Sequence, residues 1–123
     1  MYALMPNFSK VSVGTGISAA LARSAALLRD DADALDALAA EFFAELPEGD
    51  VEIAPLELLP RAIRTRVLRL LIYRAGAPSG TLTAEHVAAV EALITAWHGQ
   101  GEVSLPGNVK VGRISGRLSL SSR

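Results

Sequence analysis

The residues best suited to chemistry in this sequence are arginines on one predicted helix. Residues 60–74 hold five arginines and no acidic residue. On a helical wheel Arg61, Arg66 and Arg69 share one arc with Thr65. Because guanidinium groups suit phosphate geometry, this arc is interpreted as a surface that binds the phosphates of a nucleic acid. A helix face that is simply solvated explains the same arginines equally well.

Arg64 differs from its neighbours because it falls on the apolar side of the same helix, close to Leu68. An unpaired charge there would be costly, so we expect Arg64 to meet a carboxylate or backbone carbonyls. Farther along the chain, Lys110, Arg113 and Arg117 add positive charge to a predicted β-hairpin. Together with Arg61, Arg66 and Arg69, these three residues form the predicted nucleic-acid-binding set.

Other residue types give no pattern of a catalytic or metal site. The sequence has no cysteine, and its two histidines, His86 and His98, stand twelve residues apart. His98 is expected to interact with a helix C-terminus or with solvent. The aspartates of residues 30–36 lie mostly off the apolar seam and suit a solvated face. No phosphate-loop motif is present, so we predict no catalytic residue, no metal ligand and no bound cofactor.

Charge and composition restrict the class of protein. Residues 1–50 carry three basic and eight acidic side chains, whereas residues 51–123 carry nine basic and five acidic ones. The positive second half can hold a polyanion even though the whole chain is nearly neutral. Half of the 123 residues are apolar, which is enough for a packed core. No signal peptide or membrane span is expected, so the sequence predicts a cytoplasmic protein.

Residues 16–46 favour one long helix, because they are rich in alanine and leucine and contain no proline. Apolar residues recur there at alternating spacings of four and three, which is a heptad seam. The seam consists of Leu21, Ala25, Leu28, Ala32, Leu35, Ala39, Phe42 and Leu46. We expect it to pair with a second copy, to lie on a larger partner, or to cover its own domain. Residues 1–13 are apolar without a clear period, and are expected to fold back over the seam or to be flexible.

Residues 51–123 are predicted to form a small α+β domain that is distinct from residues 1–50. A short strand over residues 51–53 precedes a helix that starts near Pro60 and a second helix that runs from the N-cap Thr83 to about His98. The buried stripe of the second helix is predicted to be Val87, Val90, Leu93, Ile94 and Trp97. The rest alternates as an antiparallel β meander. The fold class is therefore α+β, with a long N-terminal helix, a short strand, a two-helix unit and the meander.

Residues 59–69, which read LPRAIRTRVLR, are the most specific pattern in the chain. This run resembles the small substrate-binding domain of the tRNA(Ile)-lysidine synthetase family. The resemblance continues through further matching residues, which are Leu82, His86, the VSLPG segment at 103–107, Arg113, Gly116 and Leu118. The alanine-rich residues 20–38 look like the long helix that joins this domain to the catalytic domain in these enzymes. The resemblance covers nearly the whole chain.

The resemblance implies a function in tRNA modification. The parent enzymes use ATP and magnesium to activate C2 of the wobble cytidine in an isoleucine tRNA. Lysine then attacks, which gives lysidine, AMP and pyrophosphate. The SGGxDS loop that binds ATP in the family is absent here, and Asn108 stands where a second glycine is common. The chain is therefore expected to be a non-catalytic fragment that binds tRNA and positions it against the missing catalytic domain.

Two other functions fit parts of the sequence. A winged-helix DNA-binding module has a similar order of helix, strand, two helices and hairpin. Its recognition helix would cover residues 84–98, which contain Glu85 and Glu91 but no lysine or arginine. A structural dimerisation helix with a small cap domain rests on the heptad seam alone. We therefore favour tRNA binding, with homodimerisation through the long helix as a further expectation.

Overall fold

The computed structural model describes residues 13–122, and it has the predicted α+β architecture. The chain divides into two compact units, Met1–Ala34 and Leu35–Arg123. The domain assignment made from the sequence, residues 1–50 and 51–123, stays a prediction. Of residues 1–13, which were expected to fold back over the seam or to be flexible, residues 1–12 lie outside the described residues and Val13 begins the first helix. No helix within residues 13–122 is long and apolar enough to cross a membrane.

The long helix α1 extends over Val13–Ala44, and the residues of its heptad seam differ in burial. In the first unit, Leu21 and Leu28 are 64% and 69% exposed. In the second unit, Ala39 is buried and Phe42 packs against the core. The seam is therefore ordinary core only over its last turns, and the leucines nearer the N terminus have solvent on their surface.

Three helices follow within the second unit, namely α2 (Ile53–Glu57), α3 (Arg61–Ala75) and α4 (Ala84–Thr95). The sequence analysis did not predict α2, because its five residues are too few to show a helical period. Pro60 is the N-cap of α3, and Gly76 ends that helix with a φ of 129°, a conformation that favours glycine. The start of α3 agrees with the prediction from the sequence.

The end of α4 differs from the prediction. The helix stops at Thr95, and the cap residue Ala96 has φ −137° and ψ 44°, so the chain leaves the helical path before Trp97. The predicted burial of Trp97 is therefore wrong, because a residue beyond the last turn no longer follows the 3.6-residue period. The side chain of Trp97 is 40% exposed. The other four residues of the predicted stripe, Val87, Val90, Leu93 and Ile94, are buried as expected.

A four-stranded antiparallel sheet completes the unit. Its strands are β1 (Val51–Glu52), β2 (Val103–Leu105), β3 (Val109–Ile114) and β4 (Arg117–Ser122), in the order β1-β4-β3-β2. The last three strands form the predicted meander. Ser115 and Gly116 turn β3 into β4 with positive φ values of 52° and 75°, as a two-residue hairpin turn requires. The sheet thus depends on one serine and one glycine that adopt the left-handed conformation.

The core lies between one face of the sheet and the helices α2, α3 and α4. Its fully buried side chains include Leu68, Ile72, Val90, Leu93, Val111 and Leu118. Each such side chain contributes about 1.5–3 kcal/mol when it leaves water. Because α3 and α4 bury one face each in this core, their opposite faces are left for other contacts.

The turn between β2 and β3 fixes the sheet against the loop that follows α3. This turn, Pro106–Asn108, has positive φ values at Gly107 (79°) and Asn108 (60°). A Cβ atom on Gly107 would lie 2.8 Å from the carbonyl oxygen of Gly76 and 2.8 Å from Cδ of Pro78. Only glycine therefore allows this backbone approach without a shift of the loop.

Candidate nucleic-acid interface

A buried ion pair between Arg64 and Glu91 joins α3 to α4. Nε and Nη2 of Arg64 lie 3.0 and 2.9 Å from Oε2 of Glu91. The two residues are only 8% and 7% exposed. The prediction that Arg64 meets a carboxylate is confirmed.

The same guanidinium also binds the chain that leads into α3. Nη1 of Arg64 donates to the carbonyl oxygen of Leu59 at 2.7 Å and, more weakly, to that of Glu57 at 3.4 Å. One side chain therefore satisfies a carboxylate and two carbonyls at once. In the described part of the chain, no buried side-chain nitrogen or oxygen lacks a hydrogen-bond partner.

Glu91 is a structural residue that the sequence analysis did not identify. It interrupts the apolar stripe of α4, one residue after Val90, just as Arg64 interrupts the apolar stripe of α3. A lone acid and a lone base on the buried faces of consecutive helices are a signal of pairing, since neither charge is tolerated alone in a core. That signal was available in the sequence.

Arg61 and Arg69 line a groove of about 470 Å³ between α3 and α4. Nε of Arg61 donates to Oε1 of Glu91 at 3.2 Å, yet the Arg61 side chain is 75% exposed. Nη1 of Arg69 donates to the carbonyl oxygen of Leu82 at 3.1 Å. The groove is also lined by the acidic Glu91 and by smaller side chains, which are Ala62, Thr65, Ala84, Val87 and Ala88. The groove is therefore open, and it is bordered by two guanidinium groups that are each held by a hydrogen bond within the protein.

Arg66 and Arg69 border a second groove of about 310 Å³ with Thr65 and Asp36. Nε of Arg66 lies 2.7 Å from Oδ1 of Asp36, and its Nη1 donates to the carbonyl oxygen of Ala62 at 2.8 Å. Both partners are partly exposed, so this pair contributes little to stability. The structure therefore places Arg61, Arg66 and Arg69 along one side of α3, as predicted, with Arg69 common to both grooves.

The three basic residues of the hairpin do not share one surface. Arg113 lies on the face of β3 that carries the buried Val111, and its Nη1 donates to the carbonyl oxygen of Leu93 at 2.9 Å. Lys110 lies on the opposite face, because successive side chains of a strand alternate. Arg117 pairs with Ile114 across β3 and β4, which places it on the same face as Lys110. The sheet therefore separates Arg113 from the other two.

Each of these hairpin residues also has an intramolecular partner. Nζ of Lys110 lies 3.1 Å from Oγ of Ser104, and Nη2 of Arg117 lies 3.3 Å from Oε2 of Glu52. The contacts of Lys110 and Arg117 are exposed, so solvent or a ligand competes for them easily. The six predicted nucleic-acid-binding residues thus fall into three groups. Arg61, Arg66 and Arg69 form a row on α3. Lys110 and Arg117 lie on the outer face of the sheet, opposite the face that carries Val111, and Arg113 lies apart from both groups.

The histidines take structural positions. His86 and the N-cap Thr83 form a capping box at the start of α4, with the amide of His86 donating to Oγ1 of Thr83 at 3.2 Å and the amide of Thr83 donating to Nδ1 of His86 at 3.0 Å. His98 is exposed beyond the end of α4. Among residues 13–122, no group of three or more histidine or acidic side chains could hold a metal ion.

Comparison with known proteins relates this geometry to one family. The sequence model of the TilS substrate binding domain matches residues 52–119. The chain is 50% identical over 120 residues to the tRNA(Ile)-lysidine synthase of Thermobifida fusca, which covers 96% of this chain and 37% of that protein. It is 49% identical over 116 residues to the Streptomyces coelicolor protein of the same name, covering 93% of this chain and 33% of that protein. The chain thus spans about a third of the length of the curated relatives it matches.

Replacing Arg64 with glutamine is expected to lower the free energy of unfolding by about 3 kcal/mol. In the variant, the buried Glu91 keeps only the exposed Arg61 as its partner, and the carbonyl oxygen of Leu59 loses its short hydrogen bond. Arg61→Gln is the matched control, because it removes the exposed partner of the same carboxylate and should cost less than about 1 kcal/mol. Urea unfolding followed by circular dichroism measures both changes. Equal losses in the two variants would contradict the structural role of Arg64.

Proposed function

The chain belongs to the family of the TilS substrate binding domain, and from this membership we propose that it binds tRNA as one part of a tRNA(Ile)-lysidine synthase. The observation that carries the proposal is the row of Arg61, Arg66 and Arg69 along the exposed side of α3. Three guanidinium groups on one rigid helix suit the phosphates of a folded RNA, which proteins recognise largely through shape and backbone.

The tethering of these arginines favours phosphate binding. Each guanidinium has five N–H donors, so the contact of Arg61 with Glu91 or of Arg69 with Leu82 leaves donors for a ligand. A side chain that is already held in place loses less conformational entropy when it binds. The nearby Asp36 weakens phosphate binding at Arg66, because a phosphate that approaches Arg66 competes with this carboxylate. Arg61 and Arg69 are therefore proposed as the stronger contacts.

Lys110 and Arg117 are proposed as a separate, weaker contact surface. They lie on the outer face of the sheet, whereas α3 covers part of the other face. Arg113 was also predicted to bind nucleic acid, but it lies on the opposite face of the sheet from Lys110 and Arg117. A single stretch of RNA backbone is therefore not proposed to touch all six residues.

The reaction itself is proposed to belong to the remainder of such a synthase. The resemblance assigns ATP and magnesium to a catalytic domain with the SGGxDS loop, and that domain would form lysidine at the wobble cytidine. Within this chain, the proposed contribution is to hold and position the tRNA. The activity of the whole protein is thus part of the proposal and goes beyond the third of the relatives' length that matches here.

Replacing Arg61, Arg66 and Arg69 together with glutamine is expected to weaken the binding of isoleucine tRNA and to flatten its salt dependence. The slope of log K against log salt concentration should decrease by about 0.7–0.9 for each phosphate contact that is lost. Fluorescence anisotropy of labelled tRNA at several salt concentrations measures both quantities. Arg69→Gln can be compared with Arg74→Gln, which removes the same charge from the same helix. Arg74 serves as the control because its guanidinium contacts the Phe43 ring and the carbonyl oxygen of Pro47. A triple variant with the parent's affinity and slope would refute the proposed surface.

The chain alone is expected to catalyse no lysidine formation. Incubated with isoleucine tRNA, lysine, ATP and magnesium, it should release no pyrophosphate above the background of the buffer, because the SGGxDS loop that binds ATP in the family is absent from its sequence. A full-length tRNA(Ile)-lysidine synthase in the same coupled assay is the positive control. Sustained turnover by the purified chain would show that catalytic groups lie within it.

The exposed leucines of α1 are proposed to pair with those of a second copy. Leu21 and Leu28 occupy one line of the seam, and Ala25 and Ala32 next to them would let another helix approach closely. We expect sedimentation equilibrium to show a dimer that Leu21→Glu with Leu28→Glu converts to monomer. Ala22→Glu, an exposed substitution off the seam, should leave the dimer intact. A parent chain that is monomeric at high concentration would exclude the pairing.

A further inference from the structure

The largest exposed aromatic group in the described part of the chain is Trp97, the single tryptophan of the sequence. It follows the end of α4, and 40% of its surface is open to solvent. An exposed indole offers a large apolar π surface with which a ligand can make contact. Trp97 belongs neither to the core nor to the row of Arg61, Arg66 and Arg69 on α3, so neither feature accounts for its exposed surface.

Arg113 holds a cation against the indole. The Cζ atom of its guanidinium lies 5.2 Å from the centroid of the Trp97 ring, within the range of a cation–π contact. The hydrogen bond from Arg113 to the carbonyl oxygen of Leu93 fixes the guanidinium in this position. Within residues 13–122, no carboxylate forms a salt bridge with Arg113. The pair therefore combines a π surface with a positive charge that forms no salt bridge within the described residues.

The backbone that carries Trp97 is also fixed. Oε1 of Gln100 accepts from the amide of His98 at 2.8 Å, and its Nε2 donates to the carbonyl oxygens of Ala92 and Ala96, each at 3.3 Å. One side chain thus ties the segment after α4 to the last turn of that helix. A rigid aromatic group loses little conformational freedom when a ligand stacks on it.

We propose that Trp97, with Arg113 beside it, is a stacking site for an unpaired nucleobase of the bound RNA. The inference rests on the proposed tRNA binding and adds a second kind of contact to it. Every base presents a π face, so stacking on an aromatic side chain tolerates any sequence. Proteins recognise unpaired RNA bases in this manner, with aromatic rings and arginine planes. The remaining N–H groups of Arg113 would meet the phosphate of the same nucleotide.

A protein partner is the other class of ligand that suits an exposed tryptophan, because such residues are enriched at interfaces. The uncompensated positive charge of Arg113 favours the nucleic acid, since a polyanion supplies the missing negative charge. If Trp97 instead contacts a protein, RNA should bind to the chain without changing the environment of Trp97.

The fluorescence of Trp97 gives a direct test, because the chain has no other tryptophan. The chain is titrated with single-stranded oligoadenylate, with a blunt RNA duplex, and with inorganic polyphosphate of matched charge, while anisotropy of labelled RNA reports binding independently. Oligoadenylate should quench the emission in parallel with binding. The duplex and polyphosphate should bind with little quenching. Binding of oligoadenylate without a change in emission overturns the stacking site alone, whereas no binding of any RNA overturns the tRNA-binding proposal as well.

Variants of Trp97 provide the second measurement. Trp97→Leu keeps apolar volume but has no π face, and should weaken oligoadenylate binding about 5- to 100-fold. Trp97→Phe keeps an aromatic ring and should lose less. Both should bind the blunt duplex as the parent does, and urea unfolding checks that they are folded. An equal loss of duplex and oligoadenylate binding in Trp97→Leu, or equal behaviour of the leucine and phenylalanine variants, would overturn the stacking role.

Discussion

The pairing of Arg64 with Glu91 in the core is the constraint on which the exposed surface depends. The carboxylate must be met by a cation, and the guanidinium also satisfies the carbonyls of Leu59 and Glu57. This fixes the rotation of α3 about its axis and the position of α4 next to it. Relative to apolar side chains such a pair adds little net stability, but breaking it leaves a buried charge. Because α3 cannot rotate, Arg61 and Arg69 point towards the groove and away from the core.

The basic surface is held by contacts within the protein. Arg61, Arg66 and Arg69 each donate to a carboxylate or a carbonyl, so none depends on a ligand for its position. The contacts to carboxylates lower the net positive charge and thereby the strength of phosphate binding. The contact of Arg69 to a carbonyl holds the side chain without neutralising it. The proposed binding surface is therefore preorganised but moderate in charge, which suits recognition of RNA by shape.

Distances in the sequence do not indicate which charges share a surface. Lys110, Arg113 and Arg117 lie within eight residues, yet the alternation along β3 and the hairpin register place Arg113 on one face and the other two on the opposite face. Conversely, Asp36 and Arg66 are thirty residues apart and form an ion pair of 2.7 Å. The net charges of the two halves of the sequence therefore do not show which individual charges lie together.

The sequence alone determined the features that depend on local periods and turn chemistry. The start of α3 near Pro60, the cap at Thr83 and the arginine arc all follow from residue types and spacing within a few turns. It also determined that Arg64 needed a polar partner, because burial of a lone charge is costly. The tertiary structure decided that the partner is Glu91, since this depends on how α3 packs against α4. It likewise decided that α4 ends before Trp97 and that Arg113 covers part of the indole. The contact of Arg113 with the indole joins a strand to the segment after α4, which no local pattern records.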